Sequence, residues 1–154
     1  MRDGWQNRSL SHPVKLVIVG HTVSSQCSTF LECAPKMQTI QNWHVESRDW
    51  VSIGYNFVIG GDGNVYEGLG WDIKNYIRDN SIMISFIGNY VIDKVKDKQR
   101  KAAQFLLKRG VELGKLVPNY TLVAHNQVAN TRSPGKNLMA DLKQWPHYYA
   151  GQIT

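Results

Sequence analysis

His125 opens the run Ala124-His125-Asn126-Gln127-Val128-Ala129-Asn130-Thr131-Arg132-Ser133-Pro134-Gly135 and is the one residue in it able to grip zinc. A zinc hydrolase needs three protein ligands and an open position for the attacking water, so further His, Cys or Asp side chains must converge on it. The nearest thiol-like candidate downstream is Ser133, whose hydroxyl stays protonated near neutral pH and ligates zinc poorly where a cysteine would bind as thiolate. One imidazole alone is expected to hold the metal weakly. A serine nucleophile is the other chemistry these residues raise. No Gly-x-Ser-x-Gly elbow surrounds Ser133, and Thr131-Arg132-Ser133-Pro134 offers no oxyanion hole. A serine nucleophile is therefore not the expected chemistry.

The elements that would carry these residues follow from apolar pattern and turn chemistry. Val14 to Val19 is a short β-branched run ending at Gly20, which predicts a buried strand. Pro35 is expected to open a helix in which Met37, Ile40 and Trp43 or His44 recur at helical spacing. Tyr55 to Gly68 reads as a hairpin, because two β-rich runs flank Gly60-Gly61-Asp62-Gly63. Ser81 to Gly88 is apolar enough for a central strand. Asp97 to Leu113 predicts an amphipathic helix with Ala102, Phe105, Leu106, Arg109 and Leu113 on its face. Thr121 to Ala124 is a further strand, and Leu138 to Trp145 a last helix stopped by Pro146. Strands interleaved with helices give an α/β single domain: a central mixed β-sheet flanked by α-helices. Gly20, Tyr55 and His125 then fall near strand ends, where such sheets gather functional groups.

Length and composition set the frame. With 154 residues, 42% of them hydrophobic, the chain can bury one core. Residues 1–13 read as a flexible N-terminal tail and residues 14–154 as the domain. No apolar run approaches the roughly 20 residues of a membrane span, and the N-terminus has no signal-peptide pattern. Met1 is therefore read as a start within a longer parent, and any membrane attachment would come from a segment outside this chain. The net charge of +6 is spread from Arg2 to Lys143, and Lys94, Lys96, Lys98, Arg100 and Lys101 stand at the head of a helix. A solvated helix face explains them better than a nucleic-acid surface. Cys27 and Cys33 close a short loop and suggest a local disulfide and an oxidising compartment, with two free buried thiols as the alternative. The sequons Asn7-Arg8-Ser9 and Asn119-Tyr120-Thr121 are possible glycosylation sites and lean the same way.

Taken in order, Ile18-Val19-Gly20-His21-Thr22, Cys27, Cys33, Trp50 to Phe57, Gly60-Gly61-Asp62-Gly63, Gly70-Trp71, Ser81-Ile82, Ile87-Gly88, His125, Ser133-Pro134-Gly135 and Trp145-Pro146-His147 resemble an insect-type peptidoglycan recognition protein domain over nearly the whole chain. The resemblance implies the fold of phage-type zinc N-acetylmuramoyl-L-alanine amidases and a groove for muramyl peptides of bacterial walls. It implies that the first zinc histidine of catalytic members falls on Gly20, the second on His125 and the cysteine ligand on Ser133. Tyr55 matches the tyrosine that assists the zinc-bound water, Thr131 a threonine near the metal, and Cys27 with Cys33 the family's short disulfide. Two of three metal ligands are then missing: no catalytic residue, no metal and no cofactor are expected, and Gly20, Tyr55, His125, Thr131 and Ser133 are vestigial positions. A frame shifted onto His21 would point that side chain to the opposite face of its strand and still supply only two ligands.

His44, Trp71, Tyr76 and Arg78 are the candidate groove residues. The chain is a few residues short between Trp71 and Ser81, lacking the Gly-x-His of its relatives, which is expected to open or flatten the groove. Leu69 stands where relatives that prefer diaminopimelic-acid peptides carry arginine, so a bidentate hold on the extra carboxylate is lost. These departures favour an extracellular, non-catalytic innate-immunity domain, secreted or part of a membrane-anchored receptor's ectodomain. Its muramyl peptide binding would be weak or absent, and it would regulate other recognition receptor domains as decoy or co-receptor. The alternative is a receptor that binds muramyl peptide directly.

Overall fold

The apolar run beginning at Val14 is a strand because alternate side chains find a buried face on each side of it. In the computed structural model, which describes residues 8–50 and 52–153, this run is β1 (Val14–His21), followed by α1 (Phe30–Ser47), β2 (Phe57–Ile59), β3 (Val65–Glu67), β4 (Ser81–Phe86), α2 (Asp97–Glu112), β5 (Leu116–Ala124) and α3 (Lys136–Leu142). The sheet order is β3-β2-β4-β1-β5. β1 runs parallel to β4 and β5, β2 parallel to β4, and β3 antiparallel to β2, so the sheet is mixed and the α/β fold is the one expected. Val17 and Val19 join a core with Leu106 and Leu107 of α2 and Leu138 and Leu142 of α3. Ile18 faces the other way, into a core with Val58, Met83, Val123 and Ile40 of α1. Each such fully buried aliphatic side chain contributes about 1.5–3 kcal/mol.

Local chemistry moves several boundaries. α1 begins five residues before Pro35, correcting the expected start. The Thr29 hydroxyl accepts the Glu32 N–H at 3.2 Å, and the Glu32 carboxylate accepts the Ser28 N–H at 3.0 Å. This cap outweighs the proline, which sits inside the helix and costs one hydrogen bond. Cys27 and Cys33 form the disulfide that ties the preceding loop to the first turn. α2 occupies the expected span, but its buried residues are Gln99, Ala103, Leu106, Leu107 and Gly110, while Phe105 and Leu113 are exposed. Small residues face inward because the sheet side is already filled; a methyl at Gly110 would strike the Trp71 ring.

Residues 8–13 are not a loose tail. Leu10 is buried in the core, its N–H donates to the Asp72 carbonyl, and the Arg8 guanidinium donates to the Lys74 and Asn75 carbonyls. Asn7 lies outside the described residues. Asn119 lies exposed on β5, at the edge of the sheet. Among the described residues no helix is long and apolar enough to cross a membrane.

Candidate functional site

Strand alternation puts Gly20 on the α1 side of the sheet, one residue before β1 ends. A side chain grown from it would meet Met83 Cε at 2.7 Å, Ser133 Oγ at 2.7 Å and His125 Nδ1 at 3.1 Å. Gly20, His125 and Ser133, distant in sequence, therefore converge on one point. Ser133 Oγ accepts the His21 N–H at 3.1 Å, and the Thr131 hydroxyl accepts the Ser133 N–H at 3.2 Å. His125 Nδ1 is buried and finds no hydrogen-bond partner among the described residues. One imidazole, one hydroxyl and a glycine do not fit a three-ligand zinc centre, and among the described residues no three His, Cys, Asp or Glu side chains gather to hold a metal.

His21 behaves partly as strand alternation requires. Its ring leans toward Tyr90, whose N–H donates to His21 Nδ1 at 3.0 Å, yet as the last residue of β1 it still borders the cleft.

That cleft has two adjoining lobes of about 500 Å³ and 300 Å³. His44, Arg48, Tyr55, His125 and Thr131 line both. The larger lobe continues past Thr22, Val23 and Trp43, the smaller past Trp50 and Ile77. These volumes lie in the range of small-ligand pockets, so a cleft is present despite the short wall. The segment after Trp71 is instead drawn inward by a buried amide pair. Asn56 Nδ2 donates to the Gly70 and Ile73 carbonyls at 2.8 Å, while its Oδ1 accepts the Met83 N–H at 2.8 Å and the Asn75 amide at 3.0 Å. Asn75 Oδ1 in turn accepts the Ile77 and Arg78 N–H groups.

The cleft wall is proton-poor. Burial, with the Arg48 charge second, lowers His44 to about 4; burial, then the charges of His21 and Arg48, lowers His125 to about 4. Burial also lowers His21 and raises the Tyr55 phenol. All three imidazoles are neutral at neutral pH. His44 Nδ1 accepts the Gly54 N–H at 2.9 Å, and its ring meets Tyr55 and Trp50 edge-on. Arg48 lies over the Trp43 ring at 4.6 Å and near the Trp50 ring at 5.2 Å. Stacking holds this exposed cation at the junction of the lobes, and no carboxylate pairs with it among the described residues.

Of the candidate groove residues, His44 lines both lobes. Trp71 does not: it packs in the opposite core, 4.7 Å from the Phe57 ring, because Gly110 leaves room for it there. Tyr76 stacks on Trp50 at 4.7 Å and supports the smaller lobe from behind. Arg78 lies outside both linings, its N–H turned to Asn75. Arg48, Val23 and Trp43 were missed. For Arg48 the available signal was its i, i+4 spacing from His44, which its C-cap position at the end of α1 preserves.

Residues 10–136 match the family described as N-acetylmuramoyl-L-alanine amidase. A peptidoglycan recognition protein of Trichoplusia ni is 44% identical over 144 residues, which are 90% of this chain and 79% of that protein. The bumblebee PGRP-SA structure is similar with TM-score 0.90 and 36% identity, covering 94% of this chain and 89% of that one. A structure of tracheal cytotoxin bound to the ectodomain complex of PGRP-LCa and PGRP-LCx is similar with TM-score 0.89 and 40% identity, covering 92% and 87%.

Proposed function

Since the chain belongs to the N-acetylmuramoyl-L-alanine amidase family, and within it to the peptidoglycan recognition proteins, we propose that it is a non-catalytic, extracellular recognition domain that holds muramyl peptide in the two-lobed cleft. One observation carries the reading. A mostly apolar cleft is joined where its lobes meet by an exposed guanidinium, stacked on tryptophan and, among the described residues, without a paired carboxylate. Peptide stems of bacterial walls carry carboxylates, and a planar guanidinium pairs with one through two parallel hydrogen bonds. No hydrolysis follows binding, because Gly20 and Ser133 supply no ligands beside His125 and Tyr55 has no metal-bound water to assist. Tracheal cytotoxin in the PGRP-LCa and PGRP-LCx complex is a precedent in a similar chain.

A second reading has its own support. Of residues 72–80 only Ile77 reaches the cleft, and Leu69 offers no side-chain donor where the resemblance implies arginine. On that reading the domain docks on sibling recognition domains, as decoy or co-receptor, and binds muramyl peptide weakly or not at all. Calorimetric titration with monomeric muramyl tripeptide separates the two. The first reading expects a dissociation constant in the micromolar range or tighter, and about tenfold weaker binding by Arg48→Ala. No heat at millimolar ligand overturns it in favour of the second.

A further inference from the structure

Val23 stands in the left-handed region with φ 59°, a conformation that a β-branched side chain rarely adopts. The surrounding loop imposes it. The Val23 N–H donates to the Gly88 carbonyl at 2.9 Å, the Thr22 N–H to the Phe86 carbonyl at 3.0 Å, and the Gly88 N–H to the Thr22 hydroxyl at 3.1 Å. The Thr22 and Ser24 hydroxyls pair at 2.6 Å on either side. Nothing in the fold collects a return on this strain. The side chain is 63% exposed and belongs to neither buried core, where glycine or asparagine would meet the same backbone demand with less strain. Its one topographic distinction is that it borders the mouth of the larger lobe, with Trp43, itself 47% exposed, also on the lining.

We infer that Val23 is a ligand-contacting residue: its isopropyl group forms an apolar lip that closes over an apolar group of the bound muramyl peptide. The lactyl methyl of the muramoyl unit and the methyl of the adjoining L-alanine are groups of the right size and chemistry. Strained backbone is retained where the surrounding structure over-determines it, and its clustering at ligand clamps is a general feature of binding sites. A rigid lip also reaches the ligand with its orientation already fixed, which lowers the ordering cost of association. The inference rests on the muramyl peptide reading of the cleft and specifies which edge of it makes the contact.

Val23→Asn and Val23→Gly test it together with the parental chain, by calorimetric titration with muramyl tripeptide and by thermal unfolding. Asparagine keeps much of the bulk and tolerates the left-handed region, whereas glycine removes the side chain altogether. The expected result is opposite movement: an unfolding temperature equal to or above the parental value, and binding about five- to tenfold weaker in both variants. Parental affinity in Val23→Asn and Val23→Gly overturns the lip while leaving the cleft's function standing. A marked loss of thermal stability in both variants also overturns it, because the valine would then be serving the fold. Absence of binding by the parental chain removes both the lip and the reading beneath it.

Discussion

A neutral imidazole in a dry wall makes stability depend on protons. His44 and His125 titrate near 6.5 in the unfolded chain but at about 4 in the folded one, and His21 is lowered as well. Between these values the unfolded state binds more protons, so stability is fully present above about pH 6.5 and is lost as pH falls toward 4. Urea denaturation across pH 7.5 to 4.5 is expected to show a loss on the order of 2 kcal/mol for each of His44 and His125, and His125→Gln is expected to flatten that slope. A slope unchanged by the substitution would mean that His125 is not held neutral by burial. Among the described residues the buried Nδ1 of His125 has no hydrogen-bond partner, and it faces Gly20, which has no side chain to accept from it or donate to it.

Elements decide where such side chains can go, and legibility from sequence differs sharply among them. β1 and β4 could be read because central parallel strands are apolar on both faces. The hairpin could be read because Gly63, at φ 82°, meets a turn requirement that few other residues meet. The start of α1 is masked in the sequence because Pro35 suits a first helical turn, while the stronger Thr29 and Glu32 cap lies upstream. The face of α2 was misphased because its inward side carries Gln99, Ala103 and Gly110, residues chosen for size and hydrogen bonding. Gly20, Tyr55, His125, Thr131 and Ser133 are legible by motif; Gly20, His125 and Ser133 converge on one point, and Tyr55 and Thr131 line the cleft beside it. Arg48 left only its i, i+4 spacing from His44 to be read, and Val23 left no signal, since its place on the cleft rim depends on loop conformation. The Asn56 and Asn75 pair was likewise silent, though it fixes the segment after Trp71 and with it the smaller lobe. Asn56→Ala would leave the Met83 N–H and the Gly70 and Ile73 carbonyls without this partner. The expected cost is about 2–4 kcal/mol in chemical denaturation. A loss under 0.5 kcal/mol would show that the backbone alone holds this wall.

At the scale of the whole molecule, the sheet and its helices hold the cleft around the point where Gly20, His125 and Ser133 converge, and the proposed reading is that this point lacks the donors for metal chemistry. The net charge of +6 favours the approach of an anionic ligand, and on the proposed reading the cleft supplies the specificity for a wall fragment. On the proposed non-catalytic reading, binding energy gathered there has no reacting centre to act upon and is expressed as residence time and as a surface presented to a partner. This division between holding and cutting rests on the donors around Gly20, and a calorimetric titration of the metal-free chain with zinc at pH 7.5 addresses it most directly. The account predicts no saturable one-to-one uptake at dissociation constants below about 10 μM, since a lone imidazole and a hydroxyl bind the ion weakly. One equivalent of zinc taken up tightly, and lost in His125→Ala, would contradict it.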